Sequence, residues 1–483
     1  MKDATAISEV VWPRITRLIE DTIGLHFPRE RRNDLFRGLC RAAEETGTPE
    51  VKEYVDWLLS VTPSRADLGL LATHLTIGET YFFRERRTLE VLAEKILPEL
   101  IVARRMHARR LRLWSAACCT GEEAYTLAIL LSQVLPDIDD WQVTILATDI
   151  NDRFLQKAMA GIYTDWSFRD TPPGFRDLYF DRTPDGRYAI RPQYKHHVRF
   201  ANLNLAEDSY PSLANDTNAM DIIFCRNALM YFTPAQTAKI VANFRRALIT
   251  KGWLAVSPSE ASQTLFAAFR TENFPGAILY RKTEGAPAPA PAPLAPPPAR
   301  LVAPSPQAVS NPIEAPKSDP PLKVATRLYQ SGDYAEAAAT LLDGNRTPTG
   351  PGEFAILART LANYGQLTEA MSWCERWLAA DRIDASAHYF HAVILQELGQ
   401  REAARQALQK ALFLRPEFAL AHFELGVLAR ASQRTAEADR HFANALAVLA
   451  KLSPGEALAE SDGLTAGRLA EIVASTRALA AQS

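Results

Sequence analysis

Apolar residues over the first 90 positions recur at intervals of three and four, as in SEVVWPRITRLIEDTIG and LGLLATHLTIGETYFF, and this period predicts a small all-helical region. From about residue 111 the texture changes. Short, mostly apolar runs (LRLWSAACC, VTILATD, VRFANLNL, MDIIFCRN, GWLAVSPS, ILYRK) are separated by amphipathic stretches such as EEAYTLAILLSQVL and TPAQTAKIVANFRRAL. Strands alternating with helices predict an open parallel sheet of the doubly wound kind. Between residues 177 and 200, short alternating runs flank Asp185-Gly186, which predicts a small antiparallel flap.

A second pattern begins after residue 321. Ala337, Ala370, Ala404 and Ala438 follow one another at 33, 34 and 34 residues, Ala411 recurs at Ala445, and His388-Tyr389 recurs at His422-Phe423. Each unit reads as two short amphipathic helices, with small residues where neighbouring helices approach closely. Unit 385–416 is the clearest, with Gly399 at the turn and Pro416 closing the pair. The pattern resembles the tetratricopeptide repeat family. Its first unit is expected to be incomplete, and residues 464–481 suit a terminal capping helix. Between the two regions, residues 285–321 hold 13 of the 31 prolines. That composition predicts an extended, disordered linker that leaves its flanks free to act on different partners.

At 483 residues and 53.5 kDa the chain exceeds a single core, in keeping with these divisions: 1–90, 91–284, 285–321 and 322–483. A net charge of −2 against 54 basic residues argues against a nucleic-acid binder. The first 30 residues carry acids throughout and no run of 18 apolar residues occurs anywhere, so a cytoplasmic protein without membrane insertion is expected. Five scattered cysteines, without a C-x-x-C pair, give no expectation of a disulfide framework or a metal site.

In an open parallel sheet, ligands bind beyond the carboxyl ends of the strands. The turn after the first strand, Ala117-Cys118-Cys119-Thr120-Gly121-Glu122-Glu123, lacks both G-x-G-x-x-G and a G-K-[ST] phosphate loop. Two carboxylates there suit a ligand bearing an amine or positive sulfur, or simply complement a helix dipole. Asp149, after the second strand, suits the hydroxyls of a ribose, or else caps the next helix together with Asn151. Asn204-Leu205 and Arg226-Asn227, with Tyr231 following, end the next two strands.

Taken in order, GETYFFRE, WSAACCTGEEAYTLAI, ATDIN, FANLNL and IFCRNALMYF resemble the CheR family of S-adenosylmethionine-dependent chemoreceptor methyltransferases, over roughly residues 10 to 283. The resemblance implies an α/β class I methyltransferase (Rossmann-like) domain with a small N-terminal all-α domain and a small antiparallel flap, followed here by the all-α repeats. It implies S-adenosyl-L-methionine as cofactor and S-adenosyl-L-homocysteine as product. Thr80, Arg84, Glu123, Asp149, Asn204, Leu205, Arg226 and Asn227 are then the cofactor residues, and Arg84 and Tyr231 the catalytic pair near the transferred methyl. Arg29, Arg37 and Arg41, given similar azimuths by a helical reading of PRERRNDLFRGLCR, become docking residues for an acidic receptor helix; the alternative is a solvated charged face. Three departures from the family pattern stand out: Gly78 where many members have asparagine, Cys118-Cys119 in place of small residues and a serine in the first turn, and Ser257-Pro258 where many have glycine and histidine.

The implied reaction is formation of a glutamate methyl ester on the cytoplasmic domain of a methyl-accepting chemoreceptor. The repeats are then expected to recruit that receptor, a second signalling protein, or another copy of the chain. Two alternatives belong to other classes: a cofactor-binding but catalytically weak adaptor acting through its repeats, and a small-molecule methyltransferase. The arginine-bearing helical region disfavours the latter.

Overall fold

The structure is a computed structural model that describes residues 7–106, 109–212, 215–283, 320–342, 347–461 and 464–480. Four helices open the chain: α1 (Val11–Thr22), α2 (Arg32–Glu45), α3 (Val51–Ser60) and α4 (Arg65–Leu75). They form because each carries an apolar stripe, and Ile15, Ile19, Leu35, Leu39, Leu58 and Leu71 close into one core. Ser64 starts α4 with a reciprocal capping box to Asp67. Ile150 and Tyr231, from the neighbouring sheet region, pack on the same core.

Two further helices, α5 (Arg86–Val91) and α6 (Leu97–Arg105), lead into the sheet. Its strands and helices are β1 (Arg110–Ala116), α7 (Glu122–Val134), β2 (Gln142–Asp149), α8 (Asp152–Ala160), a flap comprising β3 (Ile162–Tyr163), α9 (Phe175–Tyr179), β4 (Phe180–Arg182), β5 (Tyr188–Ile190) and α10 (Pro192–Lys195), then β6 (Val198–Asn202), β7 (Met220–Cys225), α11 (Pro234–Ala247), β8 (Leu248–Val256), β9 (Arg270–Phe274) and β10 (Ala277–Arg281). The seven-stranded order is β6-β2-β1-β7-β8-β10-β9. The first five strands are parallel, and β10 runs antiparallel between β8 and β9. Strand order reverses between β1 and β7, so the ligand crevice opens above their carboxyl ends. The flap is three-stranded, β3-β5-β4, rather than a simple hairpin. Its core is a set of aromatic rings around Phe82.

Among the described residues the repeat region contains four helix pairs: α12 (Pro321–Ser331) with α13 (Tyr334–Leu342), α14 (Pro351–Tyr364) with α15 (Leu367–Ala380), α16 (Ala385–Glu397) with α17 (Arg401–Leu414), and α18 (Ala419–Ala431) with α19 (Thr435–Leu449). A last helix, α20 (Ala466–Ala480), covers the array with Leu469 and Val473 buried. The four periodic alanines are all buried, as close helix approach requires. The first unit, expected to be incomplete, forms a helix pair among the described residues, with Ala325, Ala338 and Leu341 buried in the repeat core. Residues 284–319, which include nearly all of the expected linker, lie outside the described residues; Pro321 already opens α12.

A second expectation is overturned where the repeats meet the sheet. The repeats are docked rather than free, and they lie along the edge opposite the ligand crevice. Glu397, at the end of α16, receives Arg112 at 2.9 Å and also pairs with Arg110, both from the start of β1. Arg245 reaches Asp333 at 3.4 Å, Arg246 donates to the carbonyl of Gln330 at 3.3 Å, and Ser212 donates to the carbonyl of Ser461 at 3.3 Å. Proline-rich composition predicts the reach of the connecting segment and carries no information about ion pairs beyond it.

Candidate functional site

The turn between β1 and α7 is tight because Ala117 and Cys119 take left-handed conformations (φ 61° and 51°) and Gly121 a third (φ 91°). A Cβ on Gly121 would lie 2.8 Å from that of Ala158, so only glycine fits against α8. The two acids that follow diverge. Glu122 is buried and accepts from Thr120 Oγ1 (2.7 Å) and Ser167 Oγ (2.9 Å), tying the turn to the flap, and burial raises its pKa. Glu123 instead faces the crevice, accepting from Ser115 Oγ at 2.6 Å and Arg226 Nε at 2.7 Å.

Asp149 ends β2 with its carboxylate collecting the amides of Cys119 and Asn151, each at 2.9 Å. Burial outweighs those bonds and pushes its pKa up to about 6. The helix cap is Asn151, whose side chain accepts from the amides of Arg153 and Phe154, so Asp149 is not the cap of α8. Asn204 folds its amide onto Ala206 N (3.0 Å) and onto the Thr22 carbonyl at the end of α1 (3.2 Å).

Two loops complete the wall. In the GETYFFRE segment, Phe83 and Glu85 are left-handed (φ 64° and 55°), and Phe82 anchors the loop in the flap's aromatic core. Arg84 donates to the carbonyl of Glu79 at 2.5 Å, and its own carbonyl receives Arg226 Nη1 at 2.6 Å. After β7, Asn227 (φ 57°) turns the chain toward Tyr231, whose carbonyl accepts from His26 N at 2.7 Å and whose ring lies 5.4 Å from the Arg31 guanidinium.

The two loops are clasped by Ser257. Its hydroxyl donates to Glu85 at 2.7 Å and accepts from Asn227 Nδ2 at 3.0 Å, while Glu260 gathers the amides of Asn227 and Ser257 at 2.9 and 3.1 Å. Neither Ser257 nor Glu260 was singled out by the sequence as a site residue. In the sequence SPSE stands out only as a departure from the family pattern; in the structure Ser257 and Glu260 form a capping box. Gly78 is likewise accounted for: the Phe154 ring lies 2.7 Å from where a Cβ would be, occupying the space an asparagine would need.

These walls enclose a cavity of about 1040 Å³, including its open mouth. Thr80, Arg84, Glu123, Asp149, Asn204, Leu205, Arg226, Asn227 and Tyr231 all line it, so every expected cofactor and catalytic position converges on one crevice. The helical region contributes Ile23, Leu25, Phe27 and Arg31. No periodic signal marks those four, because the loop after α1 brings three of them in. The docking arginines do not share one helix face. Arg29 belongs to a separate 3-10 turn before α2, Arg37 pairs with Asp34 at 2.5 Å, and Arg41 donates to the carbonyl of His74 at 3.1 Å. The chain bends between Arg31 and Arg32, where the helical reading assumed continuity.

The donor set fits S-adenosylmethionine. Acids, amides and apolar side chains line the crevice, and among the described residues Asn227 Oδ1 is a buried acceptor there without a hydrogen-bond donor. A ligand carrying an ammonium group and hydroxyls supplies such donors. Residues 78–276 match the family described as CheR methyltransferase, SAM binding domain. The probable biofilm formation methyltransferase WspC of Pseudomonas aeruginosa is 30% identical over 422 residues, covering 86% of this chain and 94% of that one. The chain belongs to the CheR methyltransferase family. It is an S-adenosylmethionine-dependent methyltransferase. Another relative, chemotaxis protein methyltransferase 2 of Vibrio cholerae, is 30% identical over 259 residues, covering 54% of this chain and 88% of that one. The crystal structure of MamA is similar over 27% of this chain and 77% of that one, at 22% identity and a TM-score of 0.25. Among the described residues no helix is long and apolar enough to cross a membrane.

Proposed function

We propose that this CheR-family enzyme esterifies glutamate side chains on a chemoreceptor-like signalling protein, with Arg84 and Tyr231 acting on the acceptor carboxylate. The observation that carries the reading is their convergence: two residues from separately anchored loops face one crevice beside the cofactor positions. The name of the relative from Vibrio cholerae, chemotaxis protein methyltransferase 2, favours a receptor as substrate. The repeats favour a protein partner in addition.

The cofactor supplies an electrophilic methyl on a positive sulfur. Glutamate, with an ordinary pKa near 4.3, is already ionised at neutral pH, so no residue needs to take a proton. Charge is neutralised as the methyl moves, and the protein contributes alignment and exclusion of water. Arg84 offers a guanidinium to hold the carboxylate, with one nitrogen already fixed on Glu79. The Tyr231 hydroxyl orients an oxygen. Glu123, held by Arg226 and Ser115, keeps a negative charge where the cofactor's ammonium group belongs. Asp149 and Asn204 hold the nucleoside, and Leu205 supplies an apolar face.

Incubation with methyl-labelled cofactor and a receptor cytoplasmic fragment is expected to yield base-labile methanol; label in a base-stable form, or none, overturns the ester assignment. Arg84→Ala and Tyr231→Phe are expected to lower kcat by about 100-fold and about tenfold, with little change in affinity for S-adenosylhomocysteine. A loss confined to cofactor affinity would reassign Arg84 to the cofactor's carboxylate. Ser257→Ala should cost about 1 kcal/mol in transition-state alignment, roughly fivefold in kcat, by unclasping the two loops. Wild-type turnover in that variant would show that the clasp is incidental.

A further inference from the structure

Away from the crevice, the return segment of the flap lies against the turn that enters β2. His196 ends α10, His197 leads into β6, and Asp139 sits in the 3-10 turn Ile138–Asp140. One donor atom from each of the three lies within 4.8 Å of the others. None of them takes part in the methyl transfer described above.

The backbone under all three is fixed. The carbonyl of His197 accepts from Ile145 N at 3.0 Å, which joins it to β2 ahead of the β6 ladder. The amide of His196 closes the flap helix on Pro192 O at 3.2 Å. The turn of Asp139 is closed by Asp140 N on Asp137 O and Trp141 N on Ile138 O, each at 3.0 Å, with Trp141 buried beneath it. Ligands on anchored backbone lose little freedom when they bind, which is what separates a site from a chance group of side chains.

The electrostatics point the same way. The two imidazoles are tilted against each other, ring centroids 3.8 Å apart and planes at 41°, so protonating both would place like charges in contact. The His197 pKa is lowered by burial and then by His196, with Asp139 opposing. Neutral imidazole is the form that ligates metal.

We propose that Asp139, His196 and His197 form a surface site for a borderline divalent ion of the zinc, nickel or cobalt class, which ties the flap's return segment to the turn entering β2. Two imidazoles and one carboxylate select such ions over magnesium or calcium, which favour all-oxygen shells. With three protein ligands, the remaining coordination positions fall to water, as the exposure of Asp139 and His196 allows. The five cysteines, which contribute nothing to this cluster, are why spacing alone gave no metal expectation: two adjacent histidines and an aspartate 57 residues earlier match no compact ligand motif.

Calorimetric titration of the full chain with zinc chloride at neutral pH tests the site directly. One ion per chain is expected to bind with a dissociation constant on the order of 10 μM, and His196→Ala/His197→Ala to weaken it by about tenfold or more. Asp139→Asn should weaken it less, since an amide oxygen still ligates but without charge. Zinc should also raise the melting temperature of the wild type and leave that of the double variant unmoved. All three side chains are at least partly exposed, so the variants keep their fold, which unchanged S-adenosylhomocysteine binding verifies. No saturable binding below about 1 mM overturns the site. So does an isotherm unaltered in the double variant but abolished by His422→Ala, which would assign the ion to the histidine pair His422 and His441 on the repeats, whose Nδ1 atoms are 3.1 Å apart.

Discussion

Replacing Glu397 by alanine is expected to loosen the repeats from the sheet and to lower the denaturation midpoint of the full chain, with a cost of up to about 3–5 kcal/mol. The reason is the environment of its partners. The side chains of Arg110 and Arg112 retain 8% and 4% of their exposure, and Glu397 retains 10%. Asp221 lies near both guanidiniums but is engaged by Arg104 Nη2 at 2.7 Å and the Arg112 amide at 2.9 Å, so Glu397 is the carboxylate that pairs directly with both side chains. Without it two buried cations face each other. Undocking lets both hydrate, so the loss cannot exceed the free energy of docking itself. The variant should therefore expand in solution scattering as well as melt earlier, while S-adenosylhomocysteine affinity, set at the opposite end of β1, stays unchanged. Unaltered scattering and an unaltered midpoint would mean that the ion pairs do not hold the two regions together.

This arrangement changes what the repeats can do. A tether on a flexible linker raises local concentration without orientation. Repeats docked by Arg110, Arg112, Arg245 and Arg246 hold any ligand at a fixed bearing from the crevice. Their helix ends on that side are occupied by the chain's own sheet. A recruited partner must use the remaining repeat surface, where Phe413 and Ile383 are 86% and 77% exposed.

The legible and illegible parts of the sequence separate by the range of the interactions involved. The parallel strands could be read because burial on both faces leaves apolar runs, as in MDIIFC, where every residue of β7 is buried. β9 could not, since RTENF is an exposed edge whose polar residues match no strand period. The crevice positions were legible because ordered motifs mark strand ends, and topology carries strand ends to one place. The Ser257 clasp was not, because it joins residues 172 positions apart through a hydroxyl that looks like an ordinary cap. The same holds for Glu397, 285 positions from Arg112: a single acid on a repeat helix reads as solvated until the partner surface is known.

Asp149 gives the other large effect, and acid pH is where it becomes decisive. Asp149→Ala should weaken S-adenosylhomocysteine binding by about 3 kcal/mol, roughly 150-fold, by removing the acceptor proposed for the ribose hydroxyls. Stability should fall as well, by about 2 kcal/mol, because the buried amides of Cys119 and Asn151 lose their acceptor. An affinity loss alone therefore does not separate ribose contact from a collapsed turn, but protonation of the wild type does. Burial raises the folded pKa of Asp149 from 3.8 to about 6. The native state consequently binds this proton more tightly than the unfolded chain, so its contribution to stability is full below pH 3.8 and is lost as pH rises through 6. Hydroxyl donors favour the opposite, ionised form. Cofactor affinity should then fall about tenfold per pH unit below 6 while this group's contribution to stability increases, a divergence that turn collapse cannot produce. Affinity that stays flat from pH 7 to 5 in the wild type would remove Asp149 from the ribose site and leave it as the residue that shapes the turn.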